Sequence, residues 1–165
     1  MTTGRRQARR TALFLLYQWD LTGQPLTALD DGEPDAFALG LAKPVSARAG
    51  ELDERITASA EGWTADRLGT LERNSLRIGI HELEEDSVPP EVAMNEAVVL
   101  AKRYASEDAA RLVNGILGRV AASTSRSPRA RRTSSSSSRR STASRSRPSP
   151  APFRRASPAC SATRA

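Results

Sequence analysis

The chain has 165 residues, and its 25 Lys and Arg against 19 Asp and Glu give a net charge of +6 that is unevenly divided. Residues 123–165 hold 11 Arg and no acid, so residues 1–122 carry a net charge of −5, and the overall charge cannot be used to infer nucleic-acid binding by the folded part. The longest apolar run, Ala12 to Tyr17, is too short to cross a membrane, and the single cysteine, Cys160, excludes a disulfide framework.

The first predicted helix covers about Thr3 to Leu21. Gly23 is a natural stop, because glycine readily adopts the left-handed conformation that ends a helix. Helical spacing aligns one apolar stripe for burial, which consists of Ala12, Leu15, Leu16 and Trp19.

Two shorter helices are predicted next, after a loop rich in Pro, Gly and Asp. The first covers about Asp35–Ala42 and is interrupted at Lys43-Pro44, so we expect Pro44 to open the following helix. Gly62 closes that second helix. Its predicted buried positions are Val45, Ala49, Leu52 and Ile56.

The remaining body continues the helical pattern. Thr64 is a plausible cap for a short helix, and longer helices are predicted over about Leu71–Glu85 and Glu91–Tyr104. Ser106 is expected to cap the last helix. About seven short helices with short connections predict an all-α fold, a compact helical bundle forming one domain over residues 1–122.

Residues 123–165 form a low-complexity tail with 14 Ser and 5 Pro among 43 residues. Its apolar content is mostly Ala, so it cannot bury enough surface to offset the entropy of ordering, and we expect disorder. Arginine-serine tracts can bind RNA loosely through phosphates. A dispensable extension or an out-of-frame translation explains the tail equally well.

Catalytic chemistry has little support in these residues. His81 is the only histidine and has no nucleophile or metal ligand at a recognisable spacing, so packing is the better interpretation. No glycine-rich phosphate loop follows a strand. We therefore expect no enzyme, no metal and no cofactor, and, without a secretory signal, a cytoplasmic protein.

Four arginines, Arg5, Arg6, Arg9 and Arg10, begin the first predicted helix. Spacings of four align them in like-charged pairs near a helix N-terminus, where cations are disfavoured. A cationic cluster at a position where it destabilises the helix suggests an anionic partner such as RNA. The alternative is a solubilising, frayed terminus.

A second basic and aromatic segment joins the last two predicted helices. It brings Lys102, Arg103, Tyr104 and Arg111 close to a capped helix start. Unpaired bases stack on aromatic rings, while Arg side chains and helix N-terminal amides hold phosphates. Tyr104 could equally be a core residue, and Asp108 could simply compensate the helix dipole.

Four blocks of sequence occur in a fixed order: residues 5–20 (RRQARRTALFLLYQWD), 71–83 (LERNSLRIGIHEL), 95–102 (NEAVVLAK) and 113–117 (VNGIL), with Val88-Pro89 between the second and third. Together these ordered blocks resemble the NusB family of bacterial transcription factors. The resemblance spans about residues 5–121. Met94, Ser75 and Lys43-Pro44 depart from the family pattern, and the serine-arginine tail has no counterpart in it.

The resemblance implies two packed three-helix subdomains plus a short helix. It also implies a non-enzymatic antitermination factor that binds the boxA element of ribosomal RNA leaders together with NusE, a small-subunit ribosomal protein, and helps RNA polymerase resist termination. The rival is the related N-terminal domain of a ribosomal RNA cytosine methyltransferase, but Cys160 lies in no catalytic context. A third interpretation is a polybasic RNA-coating protein driven by the tail.

The resemblance also assigns contacts residue by residue. The surface toward NusE would include Tyr17 and Glu72, with Glu72 pairing with a basic residue of the partner. The family often has an aromatic residue at position 112, so stacking by Leu112 is not expected. The implied RNA contacts are Arg5, Arg6, Arg9, Tyr104, Asp108, Arg111 and Leu112.

Overall fold

A computed structural model describes residues 2–29 and 35–126, which contain helices and no strand. The predicted all-α class is therefore confirmed. Within these two described ranges, no helix is long and apolar enough to cross a membrane. The six α-helices are α1 (Thr2–Thr22), α2 (Ala36–Ala47), α3 (Ala49–Ser59), α4 (Thr70–Glu85), α5 (Pro90–Tyr104) and α6 (Glu107–Arg126).

The last helix continues past the expected domain boundary at residue 122 and ends at Arg126. The remainder of the tail, for which disorder is predicted, lies outside the described residues. The division into a body of residues 1–122 and a tail of residues 123–165 stays a prediction.

Helix α1 ends where its glycine predicts. The amide of Gly23 donates to the carbonyl of Trp19 at 2.9 Å, and Gly23 has a φ of +66°. A residue without a Cβ atom adopts that left-handed conformation at the lowest cost. The stripe predicted for this helix is buried except at Trp19, which is half-buried against the core.

The predicted break at Lys43-Pro44 is wrong. Helix α2 runs through Pro44 and ends at Ala47, with the turn at Arg48 separating it from α3. Leu41, Ala42 and Val45 are all buried on the two sides of the proline. Tertiary burial of these residues therefore offsets the one helical hydrogen bond that a proline lacks.

The number of α-helices is six in the described residues, where the sequence predicts about seven. The segment after Thr64 forms a single 3-10 turn, Ala65–Arg67, and the Thr64 side chain makes no capping hydrogen bond there. Leu68 then adopts an extended conformation before α4 begins. A second 3-10 turn covers Leu26–Ala28.

Helix α4 lies at the centre of the bundle and contacts each of the other five α-helices. Every residue from Asn74 to Glu82 is buried, so this helix is enclosed on all sides. Helices α4, α5 and α6 pack against one another, while α1 packs on α2 and α4, and α3 packs on α4 and α6. The charged residues of this buried stretch, Arg77 and Glu82, must consequently find partners inside the protein.

A close approach between α4, α5 and α6 depends on Gly79. A Cβ atom at this position would lie 2.9 Å from the Cβ of Ala97 and 3.0 Å from Leu117 Cδ1. Real Cβ atoms do not approach that closely, so only glycine fits without displacing its neighbours.

Candidate nucleic-acid interface

The four arginines at the start of α1 have three different environments. Arg5 is exposed and its guanidinium carbon lies 5.9 Å from the centre of the Phe37 ring, beside α2. Arg6 and Arg10 are also exposed and line a pocket beside α5. Arg9 alone is buried, with 3% of its surface exposed. The predicted cationic cluster is therefore a set of three exposed arginines around one internal arginine.

Arg9 is held by two carboxylates from other helices. Its Nε and Nη2 donate to the Glu82 carboxylate at 2.8–3.0 Å, and its Nη1 lies 3.8 Å from Glu96 Oε2. Both glutamates are themselves buried. A buried guanidinium with buried carboxylate partners fixes α1 on α4 and α5. RNA contact by Arg9 stays a prediction, and this burial argues against it.

Glu96 also binds Arg6, and this pair reaches the surface. Arg6 Nε donates to Glu96 Oε1 at 2.8 Å, and the two side chains are 59% and 9% exposed, respectively. Glu96 therefore holds one exposed arginine at the entrance of the pocket and lies close to one buried arginine behind it.

Tyr104, at the end of α5, is half-buried and packs edge-on against Phe14 of α1, with ring centres 5.1 Å apart. The guanidinium carbons of Arg10 and Arg103 lie 5.9 Å and 5.8 Å from its ring centre. A base that stacks on this ring must share it with these cations or displace them. The structure thus brings Tyr104 together with Arg6 and Arg10 of the first helix.

These side chains surround a surface pocket of about 230 Å³ between α1 and α5. Arg6, Arg10 and Arg103 supply positive charge, and Val99 and Leu100 supply apolar surface. Tyr104, Gln7 and Glu96 complete the lining. Among these residues, the sequence did not identify Gln7, Glu96, Val99 and Leu100 as parts of the site, although the last three lie within the NEAVVLAK block.

The start of α6 follows Tyr104 after two residues. Ser106 Oγ accepts a hydrogen bond from the amide of Ala109 at 3.0 Å, which confirms the predicted cap. Asp108 and Arg111 pair at 3.3 Å but are 90% and 76% exposed, so solvent screening makes this pair weak and both remain accessible. Leu112 is half-buried and packs against the core.

The two residues expected to face a protein partner lie on neighbouring elements. Tyr17 is half-buried near the end of α1, and Glu72 is half-buried in the first turn of α4. Asp20 of α1 accepts from Arg73 of α4 at 3.1 Å, which ties the two elements together. Glu72 Oε2 accepts from the amide of Gly69 at 3.1 Å, so this carboxylate also caps α4.

A second buried arginine, Arg77, was not anticipated as a structural residue. Its guanidinium bonds the carboxylates of Asp20 and Asp53 and the side-chain oxygen of Asn74 at 2.6–3.1 Å. Burial alone lowers the pKa of Arg77, but the hydrogen bonds to Asp53 and Asp20 outweigh it and raise the pKa. Arg77 therefore stays charged and joins α1, α3 and α4 beneath the Tyr17 and Glu72 surface.

His81 is buried in α4, in agreement with the packing role expected for it. Burial lowers the pKa of its imidazole, the Arg48 guanidinium lowers it further, and the carboxylate of Glu85 acts in the opposite direction. Within the described residues no group of three His, Cys, Asp or Glu side chains is arranged to hold a metal ion.

Comparison of the sequence with known proteins identifies the family of this chain. The family model described as NusB matches residues 6–122, which include α1 from Arg6 onward, the residues that line the pocket, and α6 as far as residue 122. The chain belongs to the NusB family. The transcription antitermination protein NusB of Salinispora tropica is 40% identical to it over 128 residues, 71% of this chain and 94% of that protein. The protein of the same name from Saccharopolyspora erythraea is 39% identical over 127 residues, 71% of this chain and 86% of the relative.

Solved NusB structures share the fold. A crystal structure of the antitermination factors NusB and NusE in complex with double-stranded RNA matches with a TM-score of 0.65 and 34% identity, over 74% of this chain and 99% of that one. The solution structure of NusB from Aquifex aeolicus matches with a TM-score of 0.63 and 34% identity, over 75% and 93% of the two chains. The resemblance to this family is thereby confirmed.

Proposed function

We propose that this protein is a transcription antitermination factor that binds boxA-type single-stranded RNA of ribosomal RNA leaders together with NusE. The observation that carries the proposal is its 40% identity to an antitermination protein along 94% of that protein's length. The exposed arginines around Tyr104 support it, because such a corner attracts phosphates and offers a ring to an unpaired base. It is a binding protein with no catalytic reaction, acting in the cytoplasm.

The proposed RNA surface comprises the start of α1, the end of α5 and the start of α6. Arginines there neutralise phosphates, and the Asp108 carboxylate, 90% exposed, can accept hydrogen bonds from base amino groups or ribose hydroxyls. Leu112 packs behind this surface, and Arg9 fixes α1 from inside. The proposed direct contacts are Arg5, Arg6, Tyr104, Asp108 and Arg111, with Leu112 at the edge.

The proposed NusE surface includes Tyr17 and Glu72. Arg6 and Tyr17 are eleven residues apart on one helix, about 16 Å along its axis, so RNA and NusE can be bound side by side. If NusE raises the affinity of this protein for RNA by some factor, RNA must raise its affinity for NusE by the same factor. The assembled complex then acts on RNA polymerase.

The third interpretation, a polybasic RNA-coating protein, depends on the tail. Its 11 arginines could bind any RNA through phosphates, without selecting a sequence. We propose that residues 1–122 carry the selectivity and residues 123–165 add only non-selective attraction. The methyltransferase rival is disfavoured, because the curated relatives are antitermination proteins over nearly their full length.

An anisotropy titration tests the proposed function. The full chain is titrated against labelled leader RNA containing boxA and against the same nucleotides in scrambled order, with and without NusE. We expect tighter binding to the leader RNA and a further gain when NusE is present. Equal binding to both RNAs in the presence of NusE would contradict the proposal.

A further inference from the structure

The pocket between α1 and α5 has its charges in two layers. The Glu96 side chain is 9% exposed, whereas Arg6, Arg10 and Arg103 are exposed, so we take the carboxylate as the floor of the pocket and the guanidinium groups as its rim. Val99 and Leu100 form an apolar wall that continues to the Tyr104 ring. The volume of about 230 Å³ exceeds that of one nucleobase but cannot take a folded nucleic-acid element.

We propose that this pocket receives one unpaired RNA base and that Glu96 reads the hydrogen-bonding edge of that base. The inference rests on the proposed function only in taking the ligand to be RNA. It adds a base-specificity residue to a surface that is otherwise expected to contact phosphates and a stacking ring.

The layered charge determines which part of a nucleotide enters. A phosphate is attracted to the arginines at the rim but repelled by the carboxylate at the floor. A base is neutral, carries N–H donors on its edge, and has flat faces that suit the apolar wall. The base therefore points inward while its flanking phosphates stay at the rim.

Glu96 keeps acceptor capacity for such a base. Its Oε1 accepts from Arg6 Nε at 2.8 Å, whereas the 3.8 Å between Oε2 and Arg9 Nη1 is too long for a hydrogen bond. A carboxylate offers about four acceptor positions, so both oxygens can accept more. Arg6 is mostly exposed and can turn to a phosphate when the base enters.

Guanine matches two neighbouring carboxylate oxygens best. Its ring N1–H and its amino group are adjacent donors, so it can form a two-point hydrogen bond with Glu96. In adenine and cytosine, the amino group lies beside a ring nitrogen that is a hydrogen-bond acceptor, and this nitrogen would repel the second carboxylate oxygen. Uracil presents a single N–H group between two carbonyl groups. The pocket should therefore prefer guanine.

The first test changes the RNA and leaves the protein intact. Fluorescein-labelled nonamers of uridine carry guanosine, inosine or uridine at the centre and are titrated with the full chain. Inosine lacks only the amino group of guanosine. We expect the guanosine nonamer to bind at least fivefold tighter than the all-uridine nonamer, and inosine to lose most of that gain. Equal affinities, or no binding of any nonamer by a chain that binds the leader RNA, would overturn the inference.

The second test uses variants with a matched control. Glu96→Gln should reduce the guanosine preference to less than twofold, whereas Glu91→Gln, an exposed change on the same helix, should retain it. Val99→Phe narrows the pocket from a position that is 41% exposed, so it should abolish the preference without disturbing the core. An unchanged preference in both Glu96→Gln and Val99→Phe would show that Glu96 serves only the ion pairs with Arg6 and Arg9.

The two proposals fail differently. Selection of the leader RNA without any guanosine preference would remove the base pocket and leave the proposed function intact. Failure to distinguish leader RNA from its scrambled form, with NusE present, would remove the proposed function and with it this inference. Any binding by the tail would go through phosphates, so we expect it to be the same for every nonamer, and differences between the nonamers should report the pocket.

Discussion

Arg9 and Glu82 lie 73 positions apart in the chain and form a buried ion pair in which one arginine donates three hydrogen bonds of 2.8–3.0 Å to one carboxylate. The pair joins the first helix to the central helix directly beneath the exposed arginines. The rigidity of the proposed RNA surface thus depends on an arginine that is itself 3% exposed.

Removing Arg9 should destabilise the protein rather than weaken one RNA contact. Arg9→Gln leaves the buried Glu82 carboxylate without its cation, while Glu96 keeps Arg6, and the loss costs about 3–5 kcal/mol of unfolding free energy. Arg10→Gln, an exposed change one residue away, should stay within about 0.5 kcal/mol. Urea unfolding followed by circular dichroism measures both. A loss below about 1 kcal/mol for Arg9→Gln would mean that the pair is not structurally important.

Removing Arg6 should change the salt dependence of RNA binding. Each phosphate contact on single-stranded RNA contributes about −0.7 to the slope of log affinity against log salt, so Arg6→Gln should make the slope shallower by about that amount. The control is Arg119→Gln, because Arg119 is an exposed cation that pairs with Glu61 elsewhere on the surface. Anisotropy titrations from low to high salt give the slopes. Identical slopes for wild type and Arg6→Gln would exclude a phosphate contact there.

Two glycines should respond to alanine in opposite directions. Gly79→Ala forces a Cβ atom to 2.9 Å from Ala97, and overpacking of this kind costs about 1–3 kcal/mol. Gly115 lies inside α6, where an added Cβ atom would meet no neighbouring atom within 4 Å, so Gly115→Ala should stabilise by up to about 1 kcal/mol. The midpoint temperatures of thermal unfolding of Gly79→Ala and Gly115→Ala, each compared with the unchanged protein, measure both effects. Stabilisation by Gly79→Ala would contradict the close helix packing.

Changing Glu72 should separate partner binding from helix capping. Glu72→Lys removes the carboxylate that accepts from Gly69 and reverses the charge, so NusE affinity should fall at least tenfold while direct RNA affinity stays within twofold. Glu72→Gln keeps an acceptor oxygen for Gly69 and serves as the capping control. Titration calorimetry with NusE measures both variants. Unchanged NusE affinity in Glu72→Lys would remove Glu72 from the proposed interface.

Local signals located most helices well. Serine at position 106 marks a helix start through a backbone rule that acts within a few residues, and the capped start of α6 follows it. Pro44 should interrupt a helix by a similarly local rule, but α2 continues through it because the neighbouring Leu41, Ala42 and Val45 are buried. Whether a proline breaks a helix depends on packing that only the assembled core determines.

The candidate site also contains residues that could be predicted from the sequence and residues that could not. The basic and aromatic residues near positions 5–10 and 102–111 stand out by type, so their part in a surface could be predicted. That Arg9 turns inward could not, because its partners Glu82 and Glu96 come from distant helices. The pocket floor at Glu96 was missed for the same reason, since a glutamate in a helix normally indicates an exposed face.

Removal of residues 127–165, followed by anisotropy titration of leader and scrambled RNA with NusE present, tests whether the helical body selects the RNA. The truncated chain retains all six helices, including α6 to Arg126. We expect its preference for boxA-type leader RNA over the scrambled sequence to stay within twofold of the full chain, while its affinity for both RNAs falls. Loss of that preference together with the tail would contradict the claim that the helical body selects the RNA.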